Sequence, residues 1–487
     1  MIISLSVLVI TIIVSGTYAL YKAQLSKNIG VNTTTHGLAY YINYVKGTDI
    51  TAATLNPSTS YEGGASSDIE FWKKDDSYDI YGKIELTVNT IGTNLSNSPA
   101  LKYAVVNNGN VLKEGSLKGT TSGSKVTILK NLYLEQTKQI YTVYVWLDNS
   151  EELGNISNES LSISVDCTAS LQKEPTAADT IISLYTSAAK VTATNNSITY
   201  NTAPSVSLMN DRLGGTTTDL DGGNIRYYGA SPKNYIYFNC ETYPNTNCEV
   251  WRIIGIFDGK LKIMRNTSIG ELAWDQDKND DSSKTTSDND WSTATLQKLL
   301  NGSYYNGSGT VTYYSGSTAT VTTSLDMTSI GIKNDETRNM IADTTWNLGG
   351  NASVYPNLIY KEERGTKVYT GRPTIWTGKI VLAYLSDYGY AVDFSQCNQT
   401  LYKYNGSTCA SNNWMKSIIT NNGSNSGWLL TPHSGESHKV WTVIYLGHVG
   451  YGYSSAANPV TPVLYLDSEL EIESGDGSNS NPYKLSV

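Results

Sequence analysis

Three groups of residues in this chain carry side chains able to do chemistry. Between positions 414 and 453 stand Trp414, Trp428, Trp441, Tyr445, Tyr451 and Tyr453, interleaved with His433, Glu436, His438 and His448. Aromatic faces bury the C–H surface of sugars, and neighbouring histidines and carboxylates hydrogen-bond hydroxyls. Trp428 and Trp441 sit in apolar strand-like runs, so core packing is expected of them. Tyr451 and Tyr453, in Gly450-Tyr-Gly-Tyr-Ser-Ser, are expected to face solvent. With His433 and His438 they are the candidate ligand-binding residues. Histidines also bind metals and move protons near neutral pH, but the spacing here fits no helical or knuckle pattern of ligands.

The second group is the acidic loop that opens Asp275-Gln-Asp277-Lys-Asn279-Asp280-Asp281. Oxygen ligands at alternate positions resemble the start of a calcium loop. Glycine is missing at the sixth position, where Asp280 stands, and the twelfth is Thr286 rather than Glu. The loop is therefore not an EF-hand. A solvated acidic loop is the expected reading. The alternative is a calcium site of another kind on Asp275, Asp277, Asn279 and Asp281.

The third group is the five cysteines. Cys240 and Cys248 flank a short polar loop with Pro244 and Asn245, and Cys397 and Cys409 flank one centred on Asn405-Gly406. In an exported chain such spacing predicts two local disulfides, whereas zinc would want tighter knuckles. Cys167 is left over, and a buried free thiol is expected. No Ser or Cys stands with a recognisable base, so a nucleophilic site is not indicated.

Export is expected from the first twenty-one residues. Ile2 to Tyr21 is uncharged and dominated by Ile, Leu and Val as far as Val14, with small residues before Lys22. Residues 1–22 read as a signal peptide ending near Thr17-Tyr18-Ala19, or as a retained anchor of about twenty residues. In the second case the protein also meets the membrane through this segment. The formal charge of -9 provides no footprint for nucleic acid. Only 16% of residues are charged, and 36 Tyr accompany many Thr, Asn and Gly, a composition of pleated surfaces and turns.

These residues must be positioned by a mainly β chain. Within 23–172, Lys83–Val88 alternates with Ile84, Leu86 and Val88 on one face. Leu101–Val106 and Val111–Leu112 flank the turn Asn107-Asn108-Gly109-Asn110, and Ile140–Leu147 is apolar on both faces around Trp146. An antiparallel β-sandwich is expected there. Residues 173–223 read as a linker with one short helix over Thr176–Ala188, irregular from Thr192 onward. Residues 224–487 read as an α+β domain. Its signals are the hairpin at Asp258-Gly259, a helix capped by Ser292 or Thr293 and ended by Gly302, and closing strands at Lys439–Leu446 and Val463–Leu466.

The second domain resembles a module of Gram-positive bacterial surface proteins of unassigned function. The resemblance rests on Asn224-Ile-Arg-Tyr-Tyr-Gly, Asn234-Tyr-Ile-Tyr-Phe-Asn, Cys248-Glu-Val-Trp-Arg-Ile-Ile-Gly, Ser386-Asp-Tyr-Gly-Tyr-Ala, Trp428-Leu-Leu-Thr-Pro and Pro462-Val-Leu-Tyr-Leu. The last two, around a glycine-rich stretch, are similar to the closing pattern of C-type-lectin-like folds. The first domain is similar to camelysin-like and biofilm-fibre proteins, through Ser15-Gly-Thr-Tyr-Ala and Tyr141-Thr-Val-Tyr-Val-Trp-Leu. These resemblances imply a secreted β-sandwich carrying a lectin-like head. The expected function is adhesion to a glycan or to a host or surface protein. The alternatives are a self-assembling subunit of a surface fibre or coat, and an enzyme acting on polysaccharide.

Overall fold

A computed structural model describes residues 23–25, 41–51, 55–151, 153–156, 158–212, 223–276, 288–316, 320–351 and 353–486. The apolar segment 1–22 lies outside the described residues. No described helix is long and apolar enough to cross a membrane. The chain divides into two compact units, residues 1–174 and 175–487.

The first unit is two mainly antiparallel sheets enclosing one core, with the short Pro57–Ser58 strand parallel to Ile140–Asp148. One sheet runs Ala23–Leu25, Leu161–Ser170, Tyr81–Ile91, Lys125–Tyr133, with Ile50–Thr51 also on Leu161–Ser170. The other runs Ile42–Val45, Ala65–Lys73, Ile140–Asp148, Leu101–Asn107, Asn110–Ser116. Period-two alternation sends Ile84, Leu86 and Val88 inward, where they meet Ile69, Phe71, Val143 and Val145. Ile140–Asp148 is central, hydrogen-bonded on both sides. Its Trp146 packs on the outer face against Ala104 and Val106, which explains an apolar run on both faces. The turn after Leu101–Asn107 has Asn108 and Gly109 at φ 51° and 76°, the two positive angles of a type I′ hairpin. Cys167 is a buried free thiol in this core, and burial raises its pKa well above the usual thiol value.

The second unit is built on a nine-stranded antiparallel sheet. Its order is Val191–Asn195, Ile198–Ala203, Leu208–Asn210, Ile225–Tyr227, Glu249–Phe257, Lys260–Arg265, Val463–Tyr465, Ile380–Val381, with Tyr235–Phe238 also on Glu249–Phe257. The Asp258-Gly259 hairpin forms as expected, both residues at positive φ. Disulfides join Cys240 to Cys248 and Cys397 to Cys409. Short helices and a three-stranded sheet, Gly427–Pro432, Lys439–Val443 and Val449–Tyr453, complete a β-rich α+β unit.

Two expectations are corrected. Residues 173–223 are not a linker. The helix Ala177–Ser187, with a Thr176–Asp179 capping box, and the three strands from Val191 to Asn210 belong to the second unit. These strands are rich in Thr and Asn. They turn at Asn196-Ser197, where both residues take positive φ without a glycine to advertise it. Residues 213–222 lie outside the described residues. The helix after the acidic loop also differs, since Ser292 and Thr293 do not cap it. Its Thr295 N–H donates to the Asp275 carboxylate at 2.9 Å. Gly302 does not end it either, because the chain continues through a π-turn over Leu300–Tyr304.

Candidate ligand-binding face

The strand Val449–Tyr453 reads Val-Gly-Tyr-Gly-Tyr, and period two separates its glycines from its tyrosines. The glycines face the interior. A Cβ on Gly452 would stand 3.3 Å from the Trp428 ring, and Trp428 is buried, donating its Nε1–H to the Leu272 carbonyl at 2.9 Å. Tyr451 and Tyr453 therefore project outward, 45% and 39% exposed. The register places Trp441 opposite Tyr451 and Lys439 opposite Tyr453, so all four side chains share one face.

Trp441 is the buried floor of that face, held by its Nε1–H to the Asn351 carbonyl at 3.3 Å. Tyr451 stands edge-on to it at 5.8 Å between centroids. His433 packs against both, 4.9 Å from Tyr451 and 5.8 Å from Trp441. The exposed Tyr402 extends the surface, 5.9 Å from Trp441. At the other end His438 stacks on Tyr453, with centroids 5.3 Å apart and planes 11° apart. Lys439 Nζ lies over the Tyr451 ring at 4.7 Å and bonds Glu436 at 2.8 Å. All four candidates, Tyr451, Tyr453, His433 and His438, are thus brought together.

Polar chemistry on this face is set by hydrogen bonding. The Gly435 N–H donates to His433 Nδ1 at 3.2 Å, which leaves Nε2 as the protonated nitrogen of a neutral ring. Burial lowers the His433 pKa below its ordinary value, so the ring is a neutral donor near pH 7. Lys439 supplies a cation. Glu436 is held below the usual carboxylate range by Lys439 and supplies an acceptor. His448 does not join them, because it sits at the Val443–Val449 end of the hairpin, opposite Lys439 and Tyr453.

The loop carrying His433, Glu436 and His438 is pinned from far away in sequence. Asn289 Nδ2 lies 3.1, 2.8 and 2.8 Å from the carbonyls of His433, Glu436 and Lys439. Arg372 pairs with Asp288 at 2.7 Å. A small hollow lies alongside, lined by Trp291, Tyr369, Arg372 and Pro432.

No family model matches the chain. No curated protein matches it either. Among solved structures, a receptor-binding domain of botulinum neurotoxin mosaic serotype C/D is 12% identical. It covers 52% of this chain and 74% of that one, with a TM-score of 0.15. The PBCV-1 VP54 protein, fitted into a reconstruction of the virophage Sputnik, is 10% identical. It covers 90% and 86%, also at 0.15. Neither likeness carries an argument about this chain.

The acidic loop is anchored by Asp275. Its two carboxylate oxygens accept the N–H groups of Thr295 at 2.9 Å and Asp288 at 3.1 Å. It therefore ties the loop's end to the next helix, and burial pushes its pKa up to about 6. Asp277, Asn279 and Asp281, the remaining oxygens of the calcium reading, lie outside the described residues. Among the described residues no three His, Cys, Asp or Glu side chains converge so as to hold a metal ion.

Sequence reading missed Asn289, Lys439 and Tyr402. Lys439 was available from strand periodicity, two positions before Trp441. Asn289 had no local signal, because its partners lie about 150 residues away.

Proposed function

We propose that the protein is an exported, non-catalytic surface protein whose second unit binds carbohydrate through the face built on Tyr451 and Tyr453. The observation that carries this reading is the pair of outward tyrosines on one hairpin strand, with His433, His438, Lys439 and Glu436 around them. Apolar ring faces supply area for sugar C–H groups, and the flanking donors and acceptors suit hydroxyls. The face is shallow and already formed, so little ordering is needed on binding. Two disulfides fit an oxidising, extracellular setting. The earlier resemblance to lectin-like surface modules points the same way.

The test is a glycan-array screen of the full chain, with and without calcium, beside the double variant Tyr451→Ala/Tyr453→Ala. The reading expects glycans bound by the wild type and lost by the variant. A blank array for both would overturn it in favour of a structural subunit of a surface layer. A hit that needs calcium would bring the acidic loop into the site.

A further inference from the structure

The most buried charges of the second unit gather in its interior, and the motif residues meet there. Arg226, from Asn224-Ile-Arg, bonds Asp211 at 2.6 Å and Asp387 at 2.8 Å. Lys262 Nζ, on the Lys260–Arg265 strand, contacts the other Asp387 oxygen, Oδ2. The three side chains Arg226, Lys262 and Asp387 are each no more than 1% exposed. Around Lys262 stand the rings of Tyr384 at 4.3 Å, Phe257 at 5.2 Å, Trp346 at 5.5 Å and Tyr465 at 5.7 Å, with the Arg226 guanidinium on the same carboxylate and the Tyr384 N–H donating to Asp387 Oδ2 at 3.0 Å. Glu363, also fully buried, accepts from the Ser386 N–H and Oγ and from Thr431 Oγ1 at 2.7 Å. Arg364 lies 3.8 Å from it.

The geometry points to an intramolecular amide bond between Lys262 Nζ and Asp387 Cγ, a covalent staple from the central sheet to the Leu385–Tyr390 helix. Amine and carboxylate are held together among buried side chains, each no more than 1% exposed, an arrangement in which proximity accelerates a reaction that solution disfavours. One Nζ proton passes to Asp387 Oδ2, which leaves Nζ a neutral amine beside a carboxylic acid. Nζ bonds Cγ, the Cγ–Oδ2 bond breaks, and Oδ2 leaves as water with two protons that came from Nζ. No other reactant is needed. Asp387 Oδ1 remains as the amide oxygen, and Arg226 already donates to it at 2.8 Å, placed to stabilise charge on that oxygen as the carbon is attacked.

Charge accounting supports the bond. With Lys262 and Asp387 converted to a neutral amide, Arg226 keeps Asp211 and Arg364 keeps Glu363. No buried charge is orphaned, and two charges that are expensive to desolvate are gone. Burial lowers the Lys262 pKa to about 8, which eases release of its proton, while Lys262 and Arg226 hold the Asp387 carboxyl below its ordinary value and oppose its protonation.

The test is peptide mapping of the full chain by mass spectrometry after disulfide reduction. The expected result is a branched peptide joining the segments that contain Lys262 and Asp387, lighter than their sum by one water, about 18 Da. Intact Lys262→Met protein is expected to show no such loss, and its mapped Asp387 peptide to be linear. Separate, linear Lys262 and Asp387 peptides from folded wild-type protein would overturn the inference. So would a water loss mapped elsewhere. The wild-type result alone decides, whether or not the variant folds.

Discussion

Asp275 shows how one side chain can look like a ligand and serve as a brace. Its carboxylate accepts two backbone N–H groups, yet burial outweighs them and raises the pKa from 3.8 to about 6. The unfolded chain gives up this proton near pH 4 and the folded chain near pH 6. The group's contribution to stability is therefore fully present below about pH 4 and is lost as pH rises through 6. Asp275→Asn is expected to remove that decline. In denaturant titrations between pH 4 and 7, the wild type should lose stability relative to the variant up to about pH 6 and then run parallel to it. Parallel behaviour throughout would contradict the raised pKa.

At the scale of elements, the binding face depends on an alternation and a clamp. Gly452 lets the hairpin lie against Trp428, so the tyrosines on either side of it must point out. This much was legible in the sequence, as were the hairpins at Asn108-Gly109 and Asp258-Gly259 and both disulfides. In each case the signal is local: a turn residue at positive φ, a two-residue period, a short loop between cysteines. What was not legible depends on partners distant in the chain. The strands from Val191 to Asn210 look irregular because their turn uses Asn196-Ser197 and their buried positions include Asn195, Thr202 and Asn210. The Asn289 clamp joins two loops that no local pattern connects. Asn289→Ala removes this donor from three carbonyls, of which that of Lys439 still accepts the His433 N–H at 3.0 Å, at a cost of about 1–3 kcal/mol for the groups left unsatisfied. We expect a lower melting temperature and weaker ligand binding together. A variant with a lowered melting temperature but full affinity would show that the loop holds its shape without the clamp.

At the scale of the whole molecule, the two units have separate cores, and both disulfides lie in the second. Their loops are short, with sequence separations of 8 and 12, so each contributes about 2–3 kcal/mol, the lower part of the usual range. Calorimetry is expected to show two transitions, only one of them shifted downward by reductant. The unshifted one belongs to the first unit, whose single cysteine, Cys167, is already free. A common shift of both would contradict independent folding. The motif residues Arg226, Asp387, Thr431 and Tyr465 all lie inside the second unit. These four residues therefore belong to the interior of the second unit, while Tyr451 and Tyr453, proposed to meet a ligand, lie on its surface.

The most direct test of the account is isothermal titration of a glycan found on the array into the full chain. Three proteins are compared: wild type, Tyr451→Ala/Tyr453→Ala, and the surface variant Tyr78→Ala in the first unit. Two lost stacking surfaces, at about 0.5–1.5 kcal/mol each, predict binding weaker by roughly 5- to 150-fold in the double variant, with Tyr78→Ala unchanged. Equal affinity in all three would mean that the ligand sits elsewhere and that the tyrosine face is not the site.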